Sequence, residues 1–132
     1  MVESELLRSR VCIVDDDSDV AEVLARVVRT VGLQPEVYDS AEAFSRCADS
    51  SPIGCLLLDV QLRGMSGLEL LVRLSKGQRP YPVFLISAAH NAETSAAARQ
   101  YGAVLVEKPF DGRALARRVL ATIRAARPER PG

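Results

Sequence analysis

Apolar residues follow two alternating patterns along this chain. Short apolar runs alternate with longer stretches whose apolar positions recur at helical spacing. The runs are Val11-Cys12-Ile13-Val14, Cys55-Leu56-Leu57-Leu58, Val83-Phe84-Leu85-Ile86 and Val104-Leu105-Val106, with a weaker segment at Pro35–Tyr38. Continuous runs of this length suit strands buried on both faces of a sheet. Pro52 and Gly54 bound the third strand, and Pro80 and Pro82 bracket the turn into the fourth. Residues 1–10 read as a polar lead-in.

Between the strands lie helical patterns with recognisable ends. Asp17 or Ser18 caps a first helix carrying Val20, Val23, Leu24, Val27, Val28 and Val31, stopped by Gly32. Ser40 caps a second through Ala43, Phe44 and Cys47 to about Asp49, and Ser66 begins a third with Leu68, Leu70, Leu71 and Leu74, ending near Gly77. Asn91 to Tyr101 is a fourth, closed by Gly102; Asp111 caps a fifth that runs to about Ala126. Strands alternating with helices predict an α/β fold with one doubly wound parallel sheet of five strands and five helices. Right-handed crossovers bring every strand's C-terminal end to the same edge. Strand 1 ends in Asp15 and Asp16, strand 3 in Asp59, strand 4 in Ser87 and strand 5 in Lys108. These polar residues therefore meet where ligands bind in open α/β sheets.

Composition narrows the setting. With 132 residues, 48% hydrophobic and 26% charged, the chain suits one soluble domain. It has no apolar run long enough for a bilayer and no signal-peptide core near its start, so a cytoplasmic protein without membrane association is expected. Cys12, Cys47 and Cys55 are odd in number and lack metal-ligand spacing, which predicts apolar fillers in a reducing compartment. Net charge is zero but unevenly spread: residues 1–60 hold 12 acids and 5 bases, and residues 61–132 hold 5 acids and 12 bases. The arginines after residue 112 interleave with Leu115, Val119 and Ile123 as a solvated helix face, and no aromatic residue lies among them. Direct nucleic-acid binding by this domain is not expected.

Three carboxylates crowded at one edge repel one another unless a cation intervenes, and oxygen ligands of this kind favour Mg²⁺. Lys108 offers a mobile positive charge, and Ser87 a hydroxyl donor. A carboxylate nucleophile, a metal, a cation and a hydroxyl together suit phosphoryl transfer, with Asp59 as the attacking group.

The motifs Val14-Asp15-Asp16-Asp17, Leu57-Leu58-Asp59-Val60-Gln61 with Gly64-Met65-Ser66-Gly67, Ile86-Ser87-Ala88 and Glu107-Lys108-Pro109-Phe110 resemble those of bacterial response-regulator receiver domains. The wording around Gly64–Leu70 is nearest to the FixJ/NarL-like class. The resemblance covers residues 9–126, leaving residues 1–8 as a lead-in and 127–132 as a tail or truncated linker. It implies a CheY-like, flavodoxin-like fold of strand order 2-1-3-4-5. It implies that a sensor histidine kinase phosphorylates Asp59, and that Lys108 and Ser87 contact the phosphoryl group. Mg²⁺ would be held by Asp16, Asp59 and the backbone oxygen of Gln61, with Asp15 assisting through water. The Lys108–Pro109 bond is commonly cis in such domains. The face of helix 4, strand 5 and helix 5 is expected to switch its affinity for an output domain, a partner protein or a second copy of the chain. No small-molecule turnover is expected.

Two departures stand out. Leu105 replaces the usual Tyr or Phe of the last strand, so a diffuse rearrangement would have to replace an aromatic swing. Arg63 replaces a common Pro, which predicts a less stiff loop after Asp59, and Arg63 is a further candidate for reaching a partner's acid or the phosphoryl group. His90 reads as an exposed loop residue. The competing readings are a haloacid-dehalogenase-type phosphatase, a flavin module and an unphosphorylated docking module. The first lacks a later acidic pair, the second would place phosphate against Asp15–Asp17, and the complete acidic set argues against the third.

Overall fold

The computed structural model describes residues 10–47, 52–77, 81–88 and 91–126. The chain order is β1 (Arg10–Val14), α1 (Ser18–Thr30), β2 (Gln34–Tyr38), α2 (Ala41–Cys47), β3 (Ile53–Asp59), α3 (Gly67–Lys76), β4 (Val83–Ser87), α4 (Ala92–Tyr101), β5 (Val104–Glu107) and α5 (Gly112–Ala126). All strand pairs are parallel, in the order β2-β1-β3-β4-β5. The expected α/β architecture is therefore present. Asp49, Pro80, His90 and the two chain ends lie outside the described residues.

Alternation along each strand builds two cores. Val11, Ile13, Cys55, Leu57, Phe84, Ile86 and Val106 pack against α1 and α5 through Leu24, Val28, Leu115, Val119 and Ile123. Cys12, Val14, Leu56, Leu58, Val83 and Leu85 pack on the other face against Phe44 of α2, Leu70 and Leu71 of α3 and Ala98 of α4. Both faces are covered, which is why the central strands read as unbroken apolar runs rather than as alternation. The Tyr38 ring meets Phe44 edge-on at 5.4 Å, and the Arg118 guanidinium lies 5.8 Å from the Phe84 ring centre. Cys12 and Cys55 are buried and unbonded to each other, and burial raises both thiol pKa values, so they are fillers.

The helix ends use the expected chemistry. Asp17 accepts from the backbone of Asp19 and Val20, Ser40 from Ala43, Asn91 from Thr94 and Asp111 from Ala114. Ser66 and Glu69 form a reciprocal capping box at the start of α3.

Several boundaries differ from the sequence reading by a residue or two, and two of the differences bear on packing. Arg10 belongs to β1 rather than to the lead-in; it is 7% exposed and its guanidinium pairs with Glu36 at 2.6 Å. Gly54 lies inside β3 rather than before it. The register passes from Arg10↔Ile53 to Val11↔Cys55, so Gly54 is the extra residue of an irregularity, a position that favours glycine.

Close approach fixes how α3 begins. The Gly67 N–H donates to the Val60 carbonyl at 3.0 Å, and a Cβ at Gly67 would stand 2.1 Å from the Asp59 carbonyl oxygen. No side chain fits without moving the end of β3. Gly67→Ala is therefore expected to lower unfolding free energy by roughly 1–3 kcal/mol in urea titration. An unchanged midpoint would show that the β3 end moves aside at no cost.

Candidate functional site

Strand register sets the site. Val14 pairs with Leu58, Asp59 with Ile86, and Ser87 with Glu107, so the C-terminal ends of β1, β3, β4 and β5 lie side by side. Main-chain bonds continue the ladder past these ends, from Val60 N to Ile86 O at 3.0 Å and from Lys108 N to Ser87 O at 2.8 Å. The peptide between Lys108 and Pro109 is cis, as the resemblance implies.

Asp15, Asp16 and Asp59 each place a carboxylate oxygen within 4.8 Å of the others. Asp15 is 1% exposed and Asp59 5%, whereas Asp16 is half-buried at the mouth. The Asp17 N–H donates to Asp15 Oδ1 at 2.9 Å, but Asp15 Oδ2 is buried without a hydrogen-bond partner. Burial pushes the Asp15 carboxyl up to about 6; the Asp17 N–H and Lys108 pull against that shift, and the Asp59 carboxylate adds to it. Lys108 Nζ stands 3.8 Å from Asp59 Oδ2, and Ser87 is buried at the neighbouring strand end. The structure thus brings together Asp15, Asp16, Asp59, Ser87 and Lys108. A buried carboxylate oxygen with no donor, beside two further carboxylates, fits a hard divalent cation with oxygen ligands.

The loop from β3 to α3 closes the mouth. The Gln61 N–H donates to Asp59 Oδ1 at 3.1 Å, and the Arg63 N–H donates to Asp16 Oδ2 at 3.0 Å. The Arg63 guanidinium is solvent-exposed, with Nε 3.9 Å from the same Asp16 oxygen. Proline at position 63 would have no N–H for that bond. The departure that predicts a less stiff loop thus adds a backbone tie to Asp16. Gly64 adopts φ +76°, and the next residue, Met65, donates its N–H to Glu42 Oε2 at 2.9 Å. Glu42 lies on α2, and that hydrogen bond is the main reason its carboxyl pKa is lowered. The sequence reading missed Glu42. A glutamate in the first turn of a helix is ordinary, and no local signal links it to a loop 23 positions away.

Leu105 pairs with Leu85 and packs, partly buried, in the core on the α3 and α4 side of the sheet. Among the described residues no helix is long and apolar enough to cross a membrane.

Comparison with known proteins agrees with this geometry. The family model of the response regulator receiver domain matches residues 11–120. The chain is 37% identical over 119 residues to the response regulator protein TodT of Pseudomonas putida, covering 89% of this chain and 51% of that protein. It is 29% identical over 122 residues to the transcriptional regulatory protein FixJ of Bradyrhizobium diazoefficiens, covering 92% of this chain and 60% of that protein. It thus spans between half and three-fifths of the length of these relatives. Full-length FixJ from B. japonicum superposes with a TM-score of 0.82 at 29% identity, over 91% of this chain and 60% of that one. The receiver domain of the Francisella response regulator 1452 superposes with a TM-score of 0.84 at 21% identity, over 91% of this chain and all of that one, a likeness of fold. With its sheet order, its acidic edge and the family match in agreement, the chain belongs to the receiver domains of two-component response regulators.

Proposed function

We propose that this domain takes a phosphoryl group onto Asp59 from a phosphohistidine of a sensor histidine kinase in the cytoplasm, in a reaction that requires Mg²⁺. The observation that carries this reading is the set of three mutually close carboxylates, one with an unpartnered buried oxygen, facing a lysine 3.8 Å from the central aspartate. The domain is read as residues 9–126, with residues 1–8 as a lead-in and 127–132 as a tail or linker.

Asp16, Asp59 and the Gln61 carbonyl would hold the metal, with Asp15 assisting through water. When bound, Mg²⁺ supplies charge neutralisation for the carboxylates and for the incoming phosphoryl oxygens. A carboxylate oxygen of Asp59 forms the new P–O bond as the N–P bond of the phosphohistidine breaks, and the imidazole leaves with the electron pair. Lys108 exchanges its Asp59 partner for a phosphoryl oxygen, and Ser87 donates its hydroxyl to another. Hydrolysis of the acyl phosphate later returns Asp59 and releases inorganic phosphate. The domain accepts and discharges its own phosphoryl group and turns over no small-molecule substrate.

Added charge and acceptors at the sheet edge bias the surface of α4, β5 and α5, whose occupant is an output domain, a partner protein or a second copy. Leu105 lies in that region, so the shift is a repacking of aliphatic side chains rather than an aromatic rotamer change. Membrane and nucleic acid are not partners of this domain.

Intact mass after incubation with acetyl phosphate and Mg²⁺ tests the acceptor. One phosphoryl adduct is expected on the wild type, with none on Asp59→Asn and none without a divalent ion. An adduct that persists on Asp59→Asn would place the acceptor elsewhere.

A second expectation concerns pH. The folded-state pKa of Asp15 is raised from 3.8 to about 6, so its contribution to stability is fully present below 3.8 and lost as pH rises through about 6. In metal-free buffer, the wild type should lose on the order of 1–3 kcal/mol more than Asp15→Asn between about pH 4 and pH 7. Mg²⁺ at neutral pH should restore the wild-type unfolding midpoint, and the variant should respond less. Parallel pH profiles for the two proteins would remove the crowded-carboxylate reading of Asp15.

A further inference from the structure

The loop that closes the acidic cluster is tied at several points, and most of them belong to the cluster or to the loop's own helix. Gln61 is tied to Asp59, Arg63 to Asp16, Ser66 to Glu69, and Gly67 to the Val60 carbonyl. Val60 continues the ladder to the Ile86 carbonyl of β4, and Glu42 supplies a side-chain tie from outside the sheet: its carboxylate reaches from the first turn of α2 to the Met65 N–H at 2.9 Å. The loop approaches Glu42 closely: a Cβ at Gly64 would lie 2.8 Å from Glu42 Oε2, where φ is +76°. A carboxylate on α2, whose Ala41 and Phe44 are buried in the core, therefore holds the segment at the point where the chain turns back from the cluster.

We propose that Glu42 is a positioning residue for the acidic site. By accepting from Met65 it holds residues 61–64 where the Gln61 and Arg63 N–H groups reach Asp59 and Asp16, and so sets the divalent-cation affinity of the cluster. Both N–H groups lie within four residues of Met65, with only the Gly64 turn between Arg63 and the hold. Releasing Met65 frees the turn, and the carboxylates lose the donors that orient them. Glu42 is a charged acceptor at neutral pH, as an ordinary glutamate is, and the Met65 N–H lowers its carboxyl pKa further. The metal part of this inference rests on the Mg²⁺ reading of the site, whereas the positioning part does not.

The test separates hydrogen bond from charge and positioning from metal. Glu42→Ala removes the acceptor and the charge, while Glu42→Gln keeps an acceptor without the charge. Amide hydrogen exchange in metal-free protein should be roughly tenfold faster at Gln61 and Arg63 in Glu42→Ala, and near wild type in Glu42→Gln. Mg²⁺ titration by calorimetry should show affinity weakened about three- to tenfold in Glu42→Ala and largely restored in Glu42→Gln. Unchanged exchange at Gln61 and Arg63 in Glu42→Ala would overturn the positioning role. Equal weakening of Mg²⁺ binding in both variants would show that Glu42 acts through charge and would overturn the hydrogen-bond mechanism. A wild type that binds no Mg²⁺ would refute the metal reading and the affinity role with it, leaving the exchange comparison to decide positioning alone.

Discussion

Crowding of like charge at the end of the sheet is the constraint on which the rest of this structure depends. Asp15, Asp16 and Asp59 converge within 4.8 Å, and two of them are buried. Such a cluster persists in a folded domain only if protonation, a cation or fixed donors offset the repulsion. All three devices have a place here. Asp15 is shifted towards protonation, Lys108 approaches Asp59, and main-chain N–H groups donate to each carboxylate. The arrangement is balanced but not saturated, because Asp15 Oδ2 still has no partner.

The scaffold makes that crowding affordable. Both faces of the sheet are packed with aliphatic and aromatic side chains, so the central strands have little freedom to splay apart. The acidic residues sit where the apolar runs stop, and the energy of the core holds them there. Gly67 carries this rigidity into the loop: α3 starts against the Asp59 carbonyl, closer than any side chain would permit. The start of α3 is therefore packed directly on the end of β3.

Charge at the site is also open to rearrangement. Lys108 is partly exposed and stands 3.8 Å from Asp59, a separation short of a tight hydrogen-bonded pair. Arg63 is exposed beside Asp16: its backbone N–H donates to the carboxylate at 3.0 Å, and its guanidinium stands farther off, at 3.9 Å. In the proposed reaction, a phosphoryl oxygen arriving at Asp59 would meet Lys108 already nearby.

How much of this was legible in sequence follows from the range of each interaction. Strand and helix identities follow from local periodicity and capping residues, and the acidic edge follows from right-handed connection of parallel strands. Asp15, Asp16, Asp59, Ser87 and Lys108 are therefore readable as one group from the sequence alone. Arg10 and Gly54 were misplaced because their roles depend on strand pairing: Arg10 on Glu36 across the sheet, Gly54 on a register shift between β1 and β3. Glu42 and the Arg63 N–H were invisible for the same reason. A hydrogen bond between α2 and a loop following β3 leaves no periodic trace, and a backbone donor has no residue signature except the absence of proline. The sequence alone determined which elements form and which chemical groups stand at their ends. Tertiary structure decided which oxygens have donors and which do not, because that depends on distances between segments far apart in the chain.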